Sequence, residues 1–190
     1  HQVPSRDPRY STNLIDLAPY YNDATLVDLT SMPRGRQTFA GVEFDVRGII
    51  RLAGRWERDW PEAVSGILLG RQARRIHFLQ GANGLGLTEG TSLGGFVAHY
   101  GGGQTNLISV VVGEHVQSAW EAAREAQPAR HAELALWRGT NDTVRAGRSS
   151  LRLFRYTWEN PLPDVSIDRL DYFSKTSGAA PFLVGITTEP

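Results

Sequence analysis

Residues 151–189 read LRLFRYTWENPLPDVSIDRLDYFSKTSGAAPFLVGITTE, and this stretch decides the fold class of the chain. Its apolar, aromatic and β-branched residues fall into three runs of strand length, 151–158, 165–174 and 180–188. The two segments between these runs are rich in proline, glycine and serine, whose backbone preferences favour turns. The stretch therefore predicts three consecutive β-strands.

The preceding sequence continues the same rhythm of short strands. Seven further runs have the length and composition of strands: 13–21, 39–53, 64–69, 73–79, 92–100, 106–112 and 133–137. The run 39–53 has the clearest period of two, because Val42, Phe44 and Val46 alternate with charged residues that include Asp45 and Arg47. A strand of this pattern buries one face and exposes the other to water, as in an antiparallel sheet.

One segment departs from the strand pattern. Residues 116–126 are rich in alanine and glutamate, and Val116, Trp120 and Ala123 are spaced to share one helical face. We therefore expect a short helix that ends before Pro128. Together, these features predict an all-β fold, a two-sheet antiparallel β-sandwich of the jelly-roll type with one short helix.

Length and composition restrict the class of protein. The chain has 190 residues, the size of one domain, and we expect residues 1–12 to form a linker or surface strap and residues 13–190 to form the sandwich. Twenty basic and twenty acidic residues give a formal net charge of zero, which argues against nucleic acid or an anionic membrane as a partner. The absence of cysteine excludes disulfides, and no apolar run is long enough to span a membrane.

Several segments together carry a resemblance to a known kind of module. They are FAGVEFDVRGIIRL (39–52), RRIHFLQG (74–81), VAHYGGG (97–103), LWRGTN (136–141) and residues 151–174 followed by APFLVGIT. This combination resembles an accessory β-sandwich module of large multi-domain proteins of planctomycete-like bacteria, similar in architecture to the galactose-binding-like jelly roll. That architecture includes many carbohydrate-binding modules. The resemblance implies a fold and a non-catalytic accessory role, and it supplies no ligand.

Two of the five tryptophans lie in an unusual place. Trp56 and Trp60 belong to RWERDWP, residues 55–61, a charged segment that follows a strand run. An indole face covers the apolar C–H side of a sugar ring. Glu57 and Asp59 offer acceptors for its hydroxyls, and Arg55 and Arg58 offer donors. We therefore predict a sugar site at this loop. In the alternative interpretation, one or both indoles fold back over the end of the sandwich as part of the core.

The other aromatic residues are less informative. Tyr100 adjoins the glycine turn at 101–103 and is a further ligand candidate, although a core role is equally open. Trp120, Trp137 and Trp158 lie in predicted elements, and we expect them to pack inside the protein.

Histidines suggest two alternative metal sites. His77, His99 and His115 lie on or beside strand runs that are candidates for neighbours, and their imidazoles would suit zinc. A lone strand histidine, however, is more often a structural hydrogen-bonding group. If His1 is a mature N-terminus, its amine and imidazole would suit a copper site like that of polysaccharide monooxygenases.

Carboxylates provide the remaining candidates. A glycosidase needs two of them on either side of the scissile bond. The loop and strand-end candidates are Glu57, Asp59, Glu62, Glu114 and Glu159. Oxygens for a structural Ca²⁺, which jelly-roll modules often carry, are offered by Asp16, Asp23, Asp45 and Asp168. No motif requires a cofactor.

Two functional hypotheses of different classes follow. In the first, the chain is a non-catalytic carbohydrate-binding module that holds a larger parent protein near a polysaccharide through loop aromatics. In the second, it is a protein-interaction or structural module that binds no sugar. A polysaccharide-active enzyme, either a hydrolase or a copper oxygenase using His1, comes third. We expect an extracellular or cell-envelope location in a bacterium, with a polysaccharide and neighbouring domains of the parent protein as partners.

Overall fold

A computed structural model describes residues 3–23, 32, 34–84, 87–120, 128–137 and 151–190, without the side chains of residues 136 and 137. Within these ranges the chain forms eleven strands and no helix. The strands are β1 Gly35–Phe39, β2 Val42–Val46, β3 Ile50–Arg51, β4 Ala63–Arg71, β5 Arg75–Asn83, β6 Ser92–Tyr100, β7 Thr105–Val111, β8 Ala132–Trp137, β9 Leu151–Glu159, β10 Ile167–Ser174 and β11 Ala180–Glu189.

Two larger sheets pack face to face in a sandwich-like arrangement. One has four strands in the order β4-β10-β6-β7, the other has five in the order β3-β11-β5-β9-β8, and every pair of neighbouring strands is antiparallel. The main core lies between them. At its centre the ring of Phe96 stacks on Phe78, with 4.2 Å between centroids, and on Tyr172, with 4.5 Å between centroids. The predicted all-β class is confirmed.

A second, smaller core lies on the opposite face of the five-stranded sheet. The hairpin of β1 and β2 covers that face, and Phe44 and Val46 join a cluster with Leu79, Phe182 and Val184. Both faces of the sheet are therefore covered, which explains why nearly every residue of β5 and β11 is buried. This accounts for the continuous apolar run at 180–186, since a strand buried on both faces does not alternate.

The predicted helix at 116–126 is wrong in the part that the structure describes. Val116 and Ser118 form isolated β-bridges with Val112 and Ala82. The backbone of Ala119 donates to the carbonyl of Ala82. Hydrogen bonds to the five-stranded sheet thus replace those that a helix would make within itself, and tertiary context overrides helix propensity. The remainder of the predicted helix, residues 121–126, lies outside the described residues.

The run 39–53 is three elements rather than one strand. Ala40 and Gly41, both with positive φ, form the two-residue turn between β1 and β2. The expectation of a solvent-exposed charged face is also wrong, because Asp45 and Arg47 are buried and ion-paired with 2.9 Å between Oδ1 and Nε. The N-terminal segment covers them, and the carbonyl of Pro4 accepts a hydrogen bond from Arg47 Nη1.

The run 13–21 does not form a strand. Leu14 makes a single bridge with Thr187 of β11, and the amide of Ile15 donates to the carbonyl of Ile186. A turn follows, in which Tyr20 and Tyr21 donate to the carbonyl of Leu17. The segment therefore bonds to β11 near its C-terminal end without forming a strand of its own.

Candidate functional site

A cleft of about 340 Å³ lies at one end of the sandwich, where β5 ends and β6 and β11 begin. We call it the end cleft. Its polar lining is Glu57, Asn83, Thr88, Thr91 and Ser177, its apolar lining includes Leu87, Leu93 and Val112, and Arg55 and Trp56 stand at its rim. A cleft of this volume is at the lower end of the range of small-molecule sites, roughly 300–1,000 Å³.

The segment after β3 forms one wall of the end cleft. The amide of Gly54 donates to the carbonyl of Glu57, which closes a turn, and the amide of Arg55 donates to the carbonyl of Gly178. A Cβ on Gly54 would lie 2.6 Å from the backbone nitrogen of Ala180. Glycine is therefore required at position 54 for this segment to lie directly against the start of β11.

Trp56 is the most exposed large hydrophobic side chain among the described residues, at 84%. The guanidinium of Arg55 lies 4.9 Å from the centroid of the indole, at a cation–π distance. This contact orients the ring and leaves most of it open to solvent. The indole thus offers a flat apolar face beside the cleft, on which a ligand ring can stack.

Polar groups lie beside this aromatic ring. Glu57 Oε1 accepts a hydrogen bond of 2.8 Å from Asn83 Nδ2, so the carboxylate is held at the end of β5. Its second oxygen and the hydroxyls of Thr88 and Thr91 are further hydrogen-bonding groups of the lining. The combination of one apolar platform and several fixed hydrogen-bonding groups suits a ligand that has both an apolar face and hydroxyls.

Of the residues that the sequence predicted, Arg55, Trp56 and Glu57 are part of the end cleft. Trp60 is half-buried, and the guanidinium of Arg51 lies 5.5 Å from its ring centroid. Arg58 and Asp59 are exposed and do not line the cleft.

Tyr100 lies in the core at the other end of β6. It lies seven positions along β6 from Leu93 in the cleft, a distance of roughly 23 Å along a strand. Its hydroxyl donates to Asn160 Oδ1 at 2.6 Å, and burial raises its pKa above the usual 10.0. The structure therefore gives Tyr100 a packing and hydrogen-bonding role.

The three histidines proposed for zinc lie apart. His77 Nε2 is 3.1 Å from a carboxylate oxygen of Glu189, and His99 Nε2 is 2.7 Å from one of Asp171. His115 accepts a hydrogen bond from a backbone amide. Burial lowers the pKa of His77 and of His115 below 6.5. In the part of the chain that the structure describes, no three acidic or histidine side chains are placed to hold a metal ion.

Three of the four proposed calcium donors are engaged with arginines, and the fourth, Asp168, is exposed on β10. Asp16 and Asp45 both pair with Arg47, and Asp23 pairs with Arg51 at 2.7 Å. Their oxygens are thus directed at guanidinium groups. His1, the proposed copper ligand, lies outside the described residues.

Sequence reasoning missed the threonines, Asn83 and Ser177 of the end cleft. The only signal available was their position near the glycine-containing stretches 81–86 and 177–178 of the sequence. Such stretches are common in any sandwich, and nothing in the sequence brings these two together in space.

Comparison with protein-family models, curated proteins and solved structures finds no match to this chain. The described residues include no helix of the length and apolarity needed to cross a membrane. The geometry of the end cleft is therefore the basis on which a function is proposed.

Proposed function

We propose that this domain binds carbohydrate in the end cleft, with Trp56 as the platform for a sugar ring. The single observation that carries the proposal is the indole of Trp56, 84% exposed at the rim of a cleft with polar groups. A pyranose has an apolar C–H face that stacks on an indole and hydroxyls around its edge that need hydrogen-bonding partners. Glu57 and Asn83 supply such groups beside the ring.

The proposed role is non-catalytic. A glycosidase requires two carboxyl groups roughly 5–10 Å apart across the bond that is cleaved. Among the described residues, Glu57 is the one carboxylate in the lining of the end cleft, and it is engaged with Asn83. A single carboxylate held by an amide suits the binding of a hydroxyl better than the cleavage of a glycosidic bond.

The finer assignments belong to the same proposal. We assign the sandwich to the galactose-binding-like jelly-roll type, as an accessory module of a larger extracellular or cell-envelope bacterial protein. In that setting the end cleft holds the parent protein near a polysaccharide. The antiparallel sandwich and the position of the cleft at loop ends support this assignment.

The test is affinity electrophoresis and calorimetry with a panel of soluble polysaccharides and oligosaccharides. We expect Trp56→Ala to weaken binding at least about tenfold, since stacking on the indole is lost. Trp60→Ala should retain affinity because Trp60 does not line the cleft. Leu68→Ala is the matched control, because Leu68 is 69% exposed on the four-stranded sheet, away from the cleft.

Circular dichroism establishes that each variant is folded. The proposal is contradicted if a broad glycan panel shows no binding to the wild-type protein, or if Trp56→Ala binds as tightly as wild type. If Trp56→Ala and Trp60→Ala lose glycan affinity equally, the binding site lies on the outer side of the loop and not in the end cleft.

A further inference from the structure

Strands at the edge of a sheet carry backbone N–H and C=O groups that no neighbouring strand satisfies. In this protein, side chains cap two of the four edges of the larger sheets. On β4, the hydroxyl of Tyr20 donates to the carbonyl of Gly66 at 2.8 Å and accepts from the amide of Leu68 at 3.1 Å. On β3, the side chain of Asn22 makes the equivalent pair of bonds to Arg51. Its Nδ2 donates to the carbonyl of Arg51 and its Oδ1 accepts from the amide of Arg51, at 2.8 Å each.

The β7 edge is different. At one end the carbonyl of Gln104 accepts from the amide of Tyr100, and at the other end both backbone groups of Val112 bond to Gly90 and Thr91, on the β6 side. Since alternate residues of a strand point to alternate sides, the backbone groups of Thr105, Leu107 and Ser109 point away from β6. Among the described residues, none of these outward groups has a hydrogen-bonding partner.

His115 marks where this free edge ends. The amide of Val111, the next outward residue, donates to His115 Nδ1 at 3.1 Å, and its carbonyl accepts from the amide of His115 at 2.9 Å. The free edge therefore comprises Thr105, Leu107 and Ser109, bounded by the turn at 101–103 on one side and by His115 on the other.

The side chains of β7 also lack the features that prevent edge pairing. Its sequence, TNLISVV, contains no charged residue, proline or glycine. Leu107 lies on the outer face of the sheet, where its apolar side chain is 56% exposed. The remaining edge strand, β8, carries the exposed carboxylate of Glu133. Charged side chains are a common protection of edges, and β7 has none.

We propose that β7 pairs with β7 of a second copy of this chain, antiparallel and around a two-fold axis at Leu107. In this register Leu107 lies opposite Leu107 of the other copy, and Thr105 lies opposite Ser109. Three such pairs exchange about six backbone hydrogen bonds. The two four-stranded sheets become one continuous sheet across the dimer.

The strand is self-complementary in this register, which is why the partner is a second copy. The two exposed leucines cover each other at the axis, threonine and serine hydroxyls face each other on both sides, and no like charges meet. The free edge is only three outward residues long. Because interfaces of this size are small, we expect a weak dimer whose population depends on concentration.

Analytical ultracentrifugation over a concentration series tests the proposal with the full chain. We expect wild type to pass from monomer to dimer, and Leu107→Lys to weaken the association at least about tenfold, since two like charges then face each other at the axis. Leu68→Lys is the matched control. It introduces the same charge at a similarly exposed leucine on the edge that Tyr20 caps, and should dimerise as wild type does.

A mixing experiment tests the register itself. Leu107→Glu alone should also be monomeric, but an equimolar mixture of Leu107→Lys and Leu107→Glu should associate again, because opposite charges meet at the axis. Circular dichroism confirms the fold of each variant. A wild type that stays monomeric at millimolar concentration overturns the proposal, as does a dimer that Leu107→Lys leaves intact or a mixture that stays monomeric.

Discussion

The buried side chain of Asn160 gives the sharpest test of how the core is held together. Its Oδ1 accepts from the hydroxyl of Tyr100 at 2.6 Å and from the amide of Leu162 at 3.0 Å. Its Nδ2 donates to the carbonyls of Ala73 at 2.7 Å and of Leu162 at 3.1 Å. Asn160→Ala removes all four hydrogen bonds at once.

The expected cost follows from which groups lose access to a partner. The substitution leaves the Tyr100 hydroxyl and the Ala73 carbonyl buried and unsatisfied, at about 1–3 kcal/mol each. The groups of Leu162 are less buried and can reach water. We therefore expect Asn160→Ala to lower the free energy of unfolding by about 3 kcal/mol. Tyr100→Phe should cost only about 1 kcal/mol, because Asn160 Oδ1 keeps its bond to Leu162.

Urea unfolding followed by tryptophan fluorescence measures both values, provided the m-value is unchanged. The double variant should cost less than the sum of the single ones, because Asn160→Ala already breaks the bond that Tyr100→Phe removes. Tyr100→Phe should also leave glycan affinity unchanged. If Asn160→Ala is within about 0.5 kcal/mol of wild type, the role assigned to this buried amide is refuted.

Three further predictions concern other parts of the fold. Gly95→Ala should disrupt the pairing of β6 and β7, because its Cβ would lie 2.0 Å from the carbonyl oxygen of Ile108. Gly103→Ala is the control, because Gly103 is also at positive φ but has no neighbours there, and thermal unfolding should show a free energy of unfolding only about 1 kcal/mol lower. Asp45→Asn should cost about 3 kcal/mol in urea unfolding, since buried Arg47 loses a charged partner, and a change near zero would contradict this. Burial lowers the pKa of His77 and of His115, so the unfolded state binds protons more readily and the free energy of unfolding should fall as the pH drops through 6.5. Urea unfolding at a series of pH values between about pH 8 and pH 5 checks this, and His77→Gln should make the free energy of unfolding depend less on pH.

Most strands of the sandwich were predictable because their local signals agree with their environment. The runs 92–100 and 151–158 match β6 and β9 within one residue at either end, since breakers flank both strands. Local signals failed where contacts distant in sequence decide the structure. The clearest case is 116–120, whose helical composition is outweighed by backbone bonds to Ala82 and Arg152 on the five-stranded sheet.

The buried ion pair in β2 is a second case. The alternation of Val42, Phe44 and Val46 with charged residues predicts a face open to water, and Glu43 obeys this prediction. Asp45 does not, because the N-terminal segment lies over it and supplies Arg6 near its carboxylate, at 3.8 Å. A period of two identifies the two faces of a strand, but it cannot tell whether a second layer covers the polar one.

The same limitation explains why RWERDWP predicted the loop of the candidate site but not which indole faces the end cleft. Trp56 and Trp60 stand in nearly identical charged surroundings, each preceded by a charged residue. Their difference arises elsewhere, because Arg51 lies over Trp60, whereas the bond from Arg55 to Gly178 directs Trp56 to the cleft. Gly54 permits that bond by allowing close approach to Ala180. The direction of Trp56 toward the end cleft therefore depends on Gly54, and a larger residue at position 54 should displace Trp56 while leaving its sequence context intact.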